Sequence, residues 1–81
     1  MRASQELSVL HRRASRVPAF LQGEPGIDQV EVTEIASGEV VLFWDVPADA
    51  AKRFVRALRA DLSALETDEL LERWGYVEAP E

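Results

Sequence analysis

Residues 30–46 read VEVTEIASGEVVLFWDV, and this stretch decides the fold of the 81-residue chain. β-Branched residues dominate its first part, an apolar run fills its second part, and Ala36-Ser37-Gly38 separates the two. The pattern predicts an antiparallel β-hairpin with strands over 29–35 and 39–46. Gly38 can take a positive φ at no steric cost, which suits a three-residue loop with a bulge.

Side chains alternate between the two faces of a strand, so the hairpin has two distinct faces. Pairing across the turn sets Val32 near Leu42 and Val30 near Trp44. The predicted core face carries Val30, Val32, Val40, Leu42, Trp44 and Val46. The opposite face carries Gln29, Glu31, Thr33, Val41, Phe43 and Asp45. Val41 and Phe43 are therefore adjacent apolar residues on a mixed face, and either a helix of this chain or a partner covers them.

Helical spacing of apolar residues predicts three helices around the hairpin. The first covers 3–16, where the apolar residues recur one turn apart, and Pro18 ends it. The second covers 49–65, with an apolar stripe formed by Ala51, Phe54, Val55, Leu58, Leu62 and Leu65. The third covers 68–74, with Thr67 as its cap and Gly75 just past its end.

The remaining segments are predicted as connections and a tail. Residues 19–21 form a short apolar patch that plugs the core, and residues 22–26 form a loop. Residues 77–81 form a flexible tail. The fold class is α+β, a single domain over 1–81 in the order α-β-β-α-α. Its hairpin has open strand edges, and two copies pairing there would complete a four-stranded sheet.

Composition excludes several kinds of site. The chain has no cysteine and one histidine, so disulfides, thiolate metal sites and histidine metal cages are excluded. A domain this small often needs such a staple, and oligomerisation is the one that remains. No cofactor is predicted. The sequence shows no signal peptide and no membrane span, and the lack of cysteine fits a cytoplasmic protein. The excess of arginine over lysine is typical of a GC-rich bacterial genome.

The charges are distributed in blocks, although the formal net charge is −6. The polar side of the 49–65 helix carries Lys52, Arg53, Arg56 and Arg59. This basic face either keeps the helix soluble or binds nucleic acid or an acidic protein. The acidic total repels phosphate, so we favour the solubilising role and consider nucleic acid an unlikely partner.

Candidate catalytic groups give no recognisable motif. His11 would have serines one turn away on its predicted helix, which is ordinary surface geometry. Glu31 and Asp45 share a face, but fifteen acids make such pairs common. Trp44 and Trp74 are expected in the core, with Trp74 alternatively exposed as a binding anchor. We therefore predict no enzyme, no metal site and no small-molecule substrate.

The sequence favours a small protein-interaction or regulatory domain, forming homodimers through the hairpin. Its candidate partner-binding residues are Val41, Phe43 and Trp74. The alternatives are a nucleic-acid-associated regulator that uses the basic face, and an acidic inhibitor that mimics nucleic acid through the base-free run 24–49.

Overall fold

The computed structural model describes residues 1–13 and 26–80. They contain three antiparallel strands and three helices. The domain is α+β, with its sheet packed against helices. The elements in chain order are α1 (Ala3–Glu6), β1 (Leu7–Arg12), β2 (Ile27–Glu34), β3 (Val40–Pro47), α2 (Ala48–Ala64) and α3 (Thr67–Trp74).

The β2–β3 hairpin has the predicted register. Val30 pairs with Trp44, and Val32 pairs with Leu42. At the turn, the amide of Gly38 donates to the carbonyl of Glu34 over 2.8 Å. Gly38 has φ +77°, a conformation that costs glycine little because it has no Cβ. The local turn chemistry and the apolar pattern therefore agree here, and both are visible in the sequence.

The predicted helix 3–16 is wrong. Helix α1 ends at Glu6, and residues 7–12 form β1, which pairs antiparallel with β2 from Leu7–Glu34 to Arg12–Gln29. The run LSVLHR fits both periods, since Leu7 and Leu10 share a helical face while Leu7 and Val9 share a strand face. An isolated helix shorter than about 12–15 residues is only marginally stable in water. Pairing with β2 and the burial of Leu7 therefore favour the strand over the helix.

The additional strand changes the topology of the sheet. Its order is β1-β2-β3, so β1 covers one edge of the predicted two-stranded hairpin. The edges are now β1 and β3. Two copies joined edge to edge through β3 would form six strands, where the two-stranded prediction gave four.

A bulge interrupts β3 next to the turn. Val32 pairs with Leu42, but Thr33 pairs with Val40, so Val41 is an extra residue in β3. The alternation of side chains shifts at that point. Val40 is 51% exposed, and its predicted place on the core face is therefore wrong.

The core lies between one face of the sheet and the helices. Val30, Val32 and Val46 are fully buried there, together with Leu58 of α2 and Leu70 of α3. The rest of the core consists of Ala3, Leu7, Trp44, Ala51, Phe54, Val55 and Trp74. Since α1, α2 and α3 all contribute to this one cluster, they cover the same face of the sheet.

Three aromatic rings form the centre of the helix–sheet contact. The rings of Trp44, Phe54 and Trp74 pack edge to face, with centroids 5.2 to 5.9 Å apart. This arrangement brings the positive edge of one ring to the negative face of the next. The indole of Trp44 donates to the carbonyl of Val77, and that of Trp74 donates to the Asp61 carboxylate, each over 2.9 Å. Both buried indole N–H groups are therefore satisfied.

The ends of α3 differ from the prediction at one residue. Thr67 is the first helical residue and makes no cap; its hydroxyl donates instead to the carbonyl of Met1 over 3.2 Å. Gly75 follows the helix as predicted, with right-handed φ and ψ. A Cβ on Gly75 would lie 2.7 Å from the carbonyl oxygen of Leu71, so close packing favours glycine there.

Val77 and Ala79 are packed, contrary to the flexible tail predicted over 77–81, of which residue 81 lies outside the described residues. Val77 and Ala79 are partly buried against the core, and Val77 also accepts the hydrogen bond from Trp44. The tail therefore completes the cover of an indole ring. The predicted apolar patch at 19–21, the loop as far as residue 25, and the end of the predicted first helix lie outside the described residues.

Candidate functional site

The face of the sheet turned away from α1, α2 and α3 is the main candidate site, and we call it the open face. Its residues lie in rows, and each row consists of residues that pair across neighbouring strands. The central rows are Leu10–Glu31–Phe43 and Arg12–Gln29–Asp45, each running from β1 through β2 to β3. Alternation along the strands also places Ser8, Ile27, Thr33 and Val41 on this face, and pairing with Thr33 across the bulge adds Val40.

Large apolar side chains lie exposed on the open face. Leu10 is 44% exposed, Ile27 54% and Phe43 47%. Val40 and Val41 add to them at the bulge, where both are more than one third exposed. Single exposed apolar residues are ordinary, but several on one face indicate a candidate interaction surface. Val40, Val41 and Phe43 are neighbours there, whereas the polar row Arg12–Gln29–Asp45 separates Ile27 from them.

Val41 and Phe43 lie where the sequence places them, on the face opposite the core. The sequence left open whether a helix of this chain or a partner covers these two residues. The part of the chain that the structure describes distinguishes the two alternatives. Its helices pack on the other side of the sheet, and the Phe43 ring stays half exposed. Leu10 and Ile27 were missed as companions because Leu10 was assigned to a helix and Ile27 to a loop boundary.

A carboxylate lies in the middle of this apolar surface. The Glu31 side chain is only 12% exposed because Leu10 and Phe43 flank it on the neighbouring strands. Its ion-pair partner is Arg12, at 3.9 Å and itself well exposed. An enclosed charge with such a distant partner is weakly compensated. Glu31 therefore affects any molecule that covers the face.

Trp74 does not belong to this site. Its ring is 7% exposed and packs against Trp44 and Phe54. An anchor for a partner needs an accessible ring, so the buried Trp74 ring is not available to bind one. Its expected place in the core is the one that the structure shows.

The basic face of α2 forms a second surface, on the other side of the domain. Lys52, Arg53, Arg56 and Arg59 are all exposed. Ala51, Phe54, Val55 and Leu58 of the same helix are buried. The amphipathic pattern therefore placed both sides of α2 correctly.

His11 and Asp28 form a contact that the sequence did not predict. His11 Nε2 donates to Asp28 Oδ2 over 2.6 Å, and the side chains are 16% and 7% exposed. Both side chains lie on the core side of the sheet, on neighbouring strands. The pair holds β1 to β2 near the end of β1. Once His11 is placed on a strand, its alternation with Leu7 and Val9 indicates this inward orientation.

Other chemistry is limited in the described residues. Across 1–13 and 26–80, no three histidine, aspartate or glutamate side chains are grouped closely enough to hold a metal ion. None of the described helices combines the length and hydropathy needed to span a membrane. Comparison with protein-family models, with curated proteins and with solved structures found no match. The open face and the basic face of α2 are therefore the features of this domain that indicate a function.

Proposed function

We propose that this chain is a non-catalytic protein-interaction domain that self-associates by packing the open faces of two copies together. The observation that carries this proposal is the half-exposed set Leu10, Ile27 and Phe43 on a face that no described helix covers. Burying such side chains contributes about 25 cal/mol for each Å² of apolar surface removed from water. The predicted cytoplasmic location stays a prediction.

A second copy of the chain fits the open face because the residues on the two edges of that face, β1 and β3, are complementary. A two-fold axis parallel to the strands, above β2, would place β1 of one copy over β3 of the other. Leu10 would then face Phe43, and Arg12 would face Asp45, in the central rows of the sheet. Aligned sheets pack about 10 Å apart at about −30°, so the central rows make the closest contacts.

Glu31 opposes this arrangement. The same axis brings the two Glu31 carboxylates of a dimer toward each other, and facing like charges are destabilising. Arg12, beside Glu31, offsets part of that repulsion. We expect a reversible dimer of micromolar stability rather than an obligate one.

Sedimentation equilibrium from about 1 µM to about 1 mM tests the proposal, since this range spans the expected dissociation constants. The monomer mass is 9.1 kDa, and we expect the apparent mass to rise toward twice that value. Phe43→Glu should keep the protein monomeric and folded, because the ring is half exposed. Ala57→Glu is the matched control, since it adds the same charge to the exposed side of α2.

Two outcomes would overturn the proposal. One is a parent protein that stays monomeric up to about 1 mM. The other is equal dissociation by Ala57→Glu and Phe43→Glu, which would indicate a general charge effect. Far-UV circular dichroism of each variant establishes that a monomer is a folded monomer.

A further inference from the structure

The exposed side of α2 carries four cations that are uncompensated within the described chain. Most other cations have an acceptor: the Met1 amine pairs with Glu66, Arg12 with Glu31, and Arg73 with Asp61. By contrast, Lys52, Arg53, Arg56 and Arg59 make none of the ion pairs found in residues 1–13 and 26–80. Their charge is therefore available to a molecule that binds this side of the helix.

An uncharged strip of small side chains adjoins these cations. Ala57, Ala60 and Ala64 are exposed, and their spacings of three and four residues keep them on one side of the helix. At about 100° per residue, Ala60 lies between Arg53 and Arg56 around the helix axis. A second backbone can approach closely over such residues, while the arginines reach along its flank.

The size and surroundings of this surface decide between two anionic partners. From Lys52 to Arg59 is seven residues, about 10 Å along the helix, which spans about three phosphates of one nucleic-acid strand. A longer duplex would approach acids at both ends of α2. Four phosphate contacts at most give weak, strongly salt-dependent binding.

An acidic amphipathic helix uses both parts of the surface. Its carboxylates can pair with the arginines, which bind carboxylates in a bidentate manner. Its apolar residues can pack on the alanine strip, where a phosphate backbone would leave that strip unused. Helices in proteins commonly dock with 8–10 Å between their axes, and small residues allow the shorter distance.

We infer that the exposed side of α2 is a docking site for an acidic amphipathic helix of a partner protein. Arg53, Arg56 and Arg59 bind its carboxylates, and Ala57, Ala60 and Ala64 receive its apolar residues. This surface lies on the opposite side of the domain from the open face, so the inference does not depend on self-association.

Amide chemical shifts of the ¹⁵N-labelled 81-residue chain test the inference. The probe is a synthetic peptide of about 15 glutamate, leucine and alanine residues, with leucines at spacings of three and four. The comparison probes are a scrambled peptide of the same composition and a DNA duplex of about 15 base pairs. We expect the amphipathic peptide to shift α2 amides with a dissociation constant below about 1 mM at low salt.

Two substitutions separate the components of the site. Arg56→Glu should weaken peptide binding at least about fivefold, while Arg13→Glu, the same charge change at an exposed residue outside α2, should have little effect. Ala60→Gln keeps the charge and a good helix propensity but fills the strip, and it should also weaken binding severalfold.

Each remaining outcome overturns the inference. Absence of α2 shifts at about 1 mM peptide would exclude the site. Equal binding of the scrambled peptide, or no effect of Ala60→Gln, would mean that charge by itself accounts for the binding. Either result would exclude helix docking. Tighter binding of the duplex at about 150 mM salt would assign the surface to nucleic acid.

Discussion

Val40 and Leu42 are two residues apart on β3, yet their side chains lie on opposite faces of the sheet. Leu42 packs against the core and pairs with Val32, whereas Val40 pairs with Thr33 and is 51% exposed. In a regular strand these residues would share a face. The extra residue, Val41, separates them and moves one more apolar side chain onto the open face.

The position of the bulge predicts how the hairpin responds to deletions. Deleting Val41 would restore a regular register without changing the face of any other residue, so the protein should still fold. Deleting Phe43 would also remove the bulge, but it would move Leu42 to the open face and put the smaller Val41 in its place on the core face. We expect the Phe43 deletion to cost about 1 kcal/mol more in free energy of unfolding, as measured in urea. Equal costs would place the bulge elsewhere.

Neutralising Glu31 should strengthen self-association. Glu31→Gln removes the charge that the proposed two-fold axis brings face to face, and it keeps the size of the side chain. We expect dimerisation to tighten at least about threefold in sedimentation equilibrium, in line with weak like-charge repulsion. Glu69→Gln, an exposed residue of α3, is the matched control. Weaker association of Glu31→Gln would contradict the proposed packing.

The Asp61 carboxylate is important because it satisfies a buried indole. It accepts from Trp74 Nε1 at 2.9 Å and from Arg73 Nη1 at 3.4 Å. Asp61→Ala should cost about 1–3 kcal/mol of unfolding free energy, the cost of an unsatisfied buried donor. Asp61→Asn keeps an acceptor and should cost less. Arg73→Ala removes only an exposed pair and should cost at most about 1 kcal/mol. An Arg73 effect equal to that of Asp61→Ala would refute this assignment.

Truncation tests the packing of the C-terminal residues. Removing 77–81 takes away the acceptor for Trp44 Nε1 and the partly buried side chains of Val77 and Ala79. We expect a loss of about 2–4 kcal/mol in unfolding free energy and a changed tryptophan emission spectrum. Removing only 80–81 should leave both nearly unchanged. A truncation at 77 without effect would restore the interpretation of this segment as a free tail.

Because of the ion pair at the N-terminal amine, we expect the free energy of unfolding to depend slightly on pH. Met1 N lies 2.9 Å from Glu66 Oε2, and the hydrogen bond and charge of that carboxylate raise the pKa of the amine. An amine whose pKa is higher in the folded state stabilises the fold. This stabilisation is fully present at a pH below the ordinary pKa of the amine, and it is lost as the pH rises through the folded-state pKa. Between about pH 7 and about pH 10, the parent should lose slightly more stability than Glu66→Gln in urea titrations. Parallel pH profiles would contradict this contribution.

Local patterns determined the parts of this fold in which one periodicity was consistent. The hairpin register, the positive φ of Gly38 and the two sides of α2 follow from alternation, turn chemistry and a helical stripe. Val41 and Phe43 were placed on the non-core face for the same reason. These features depend on residues close in the sequence, so the sequence contains the information that specifies them.

Tertiary structure decided the features in which two periods competed or a distant partner was needed. The run 7–12 fits a helix and a strand equally, and pairing with β2 selects the strand because it buries Leu7 and Val9 and satisfies a backbone edge. The bulge at Val41, the burial of Trp74 and the packing of Val77 likewise depend on contacts across the fold. Alternation by itself therefore identified two residues of the open face as apolar. The third strand and the bulge, which form through long-range pairing, add Leu10 and Val40, and the greater length of β2 adds Ile27.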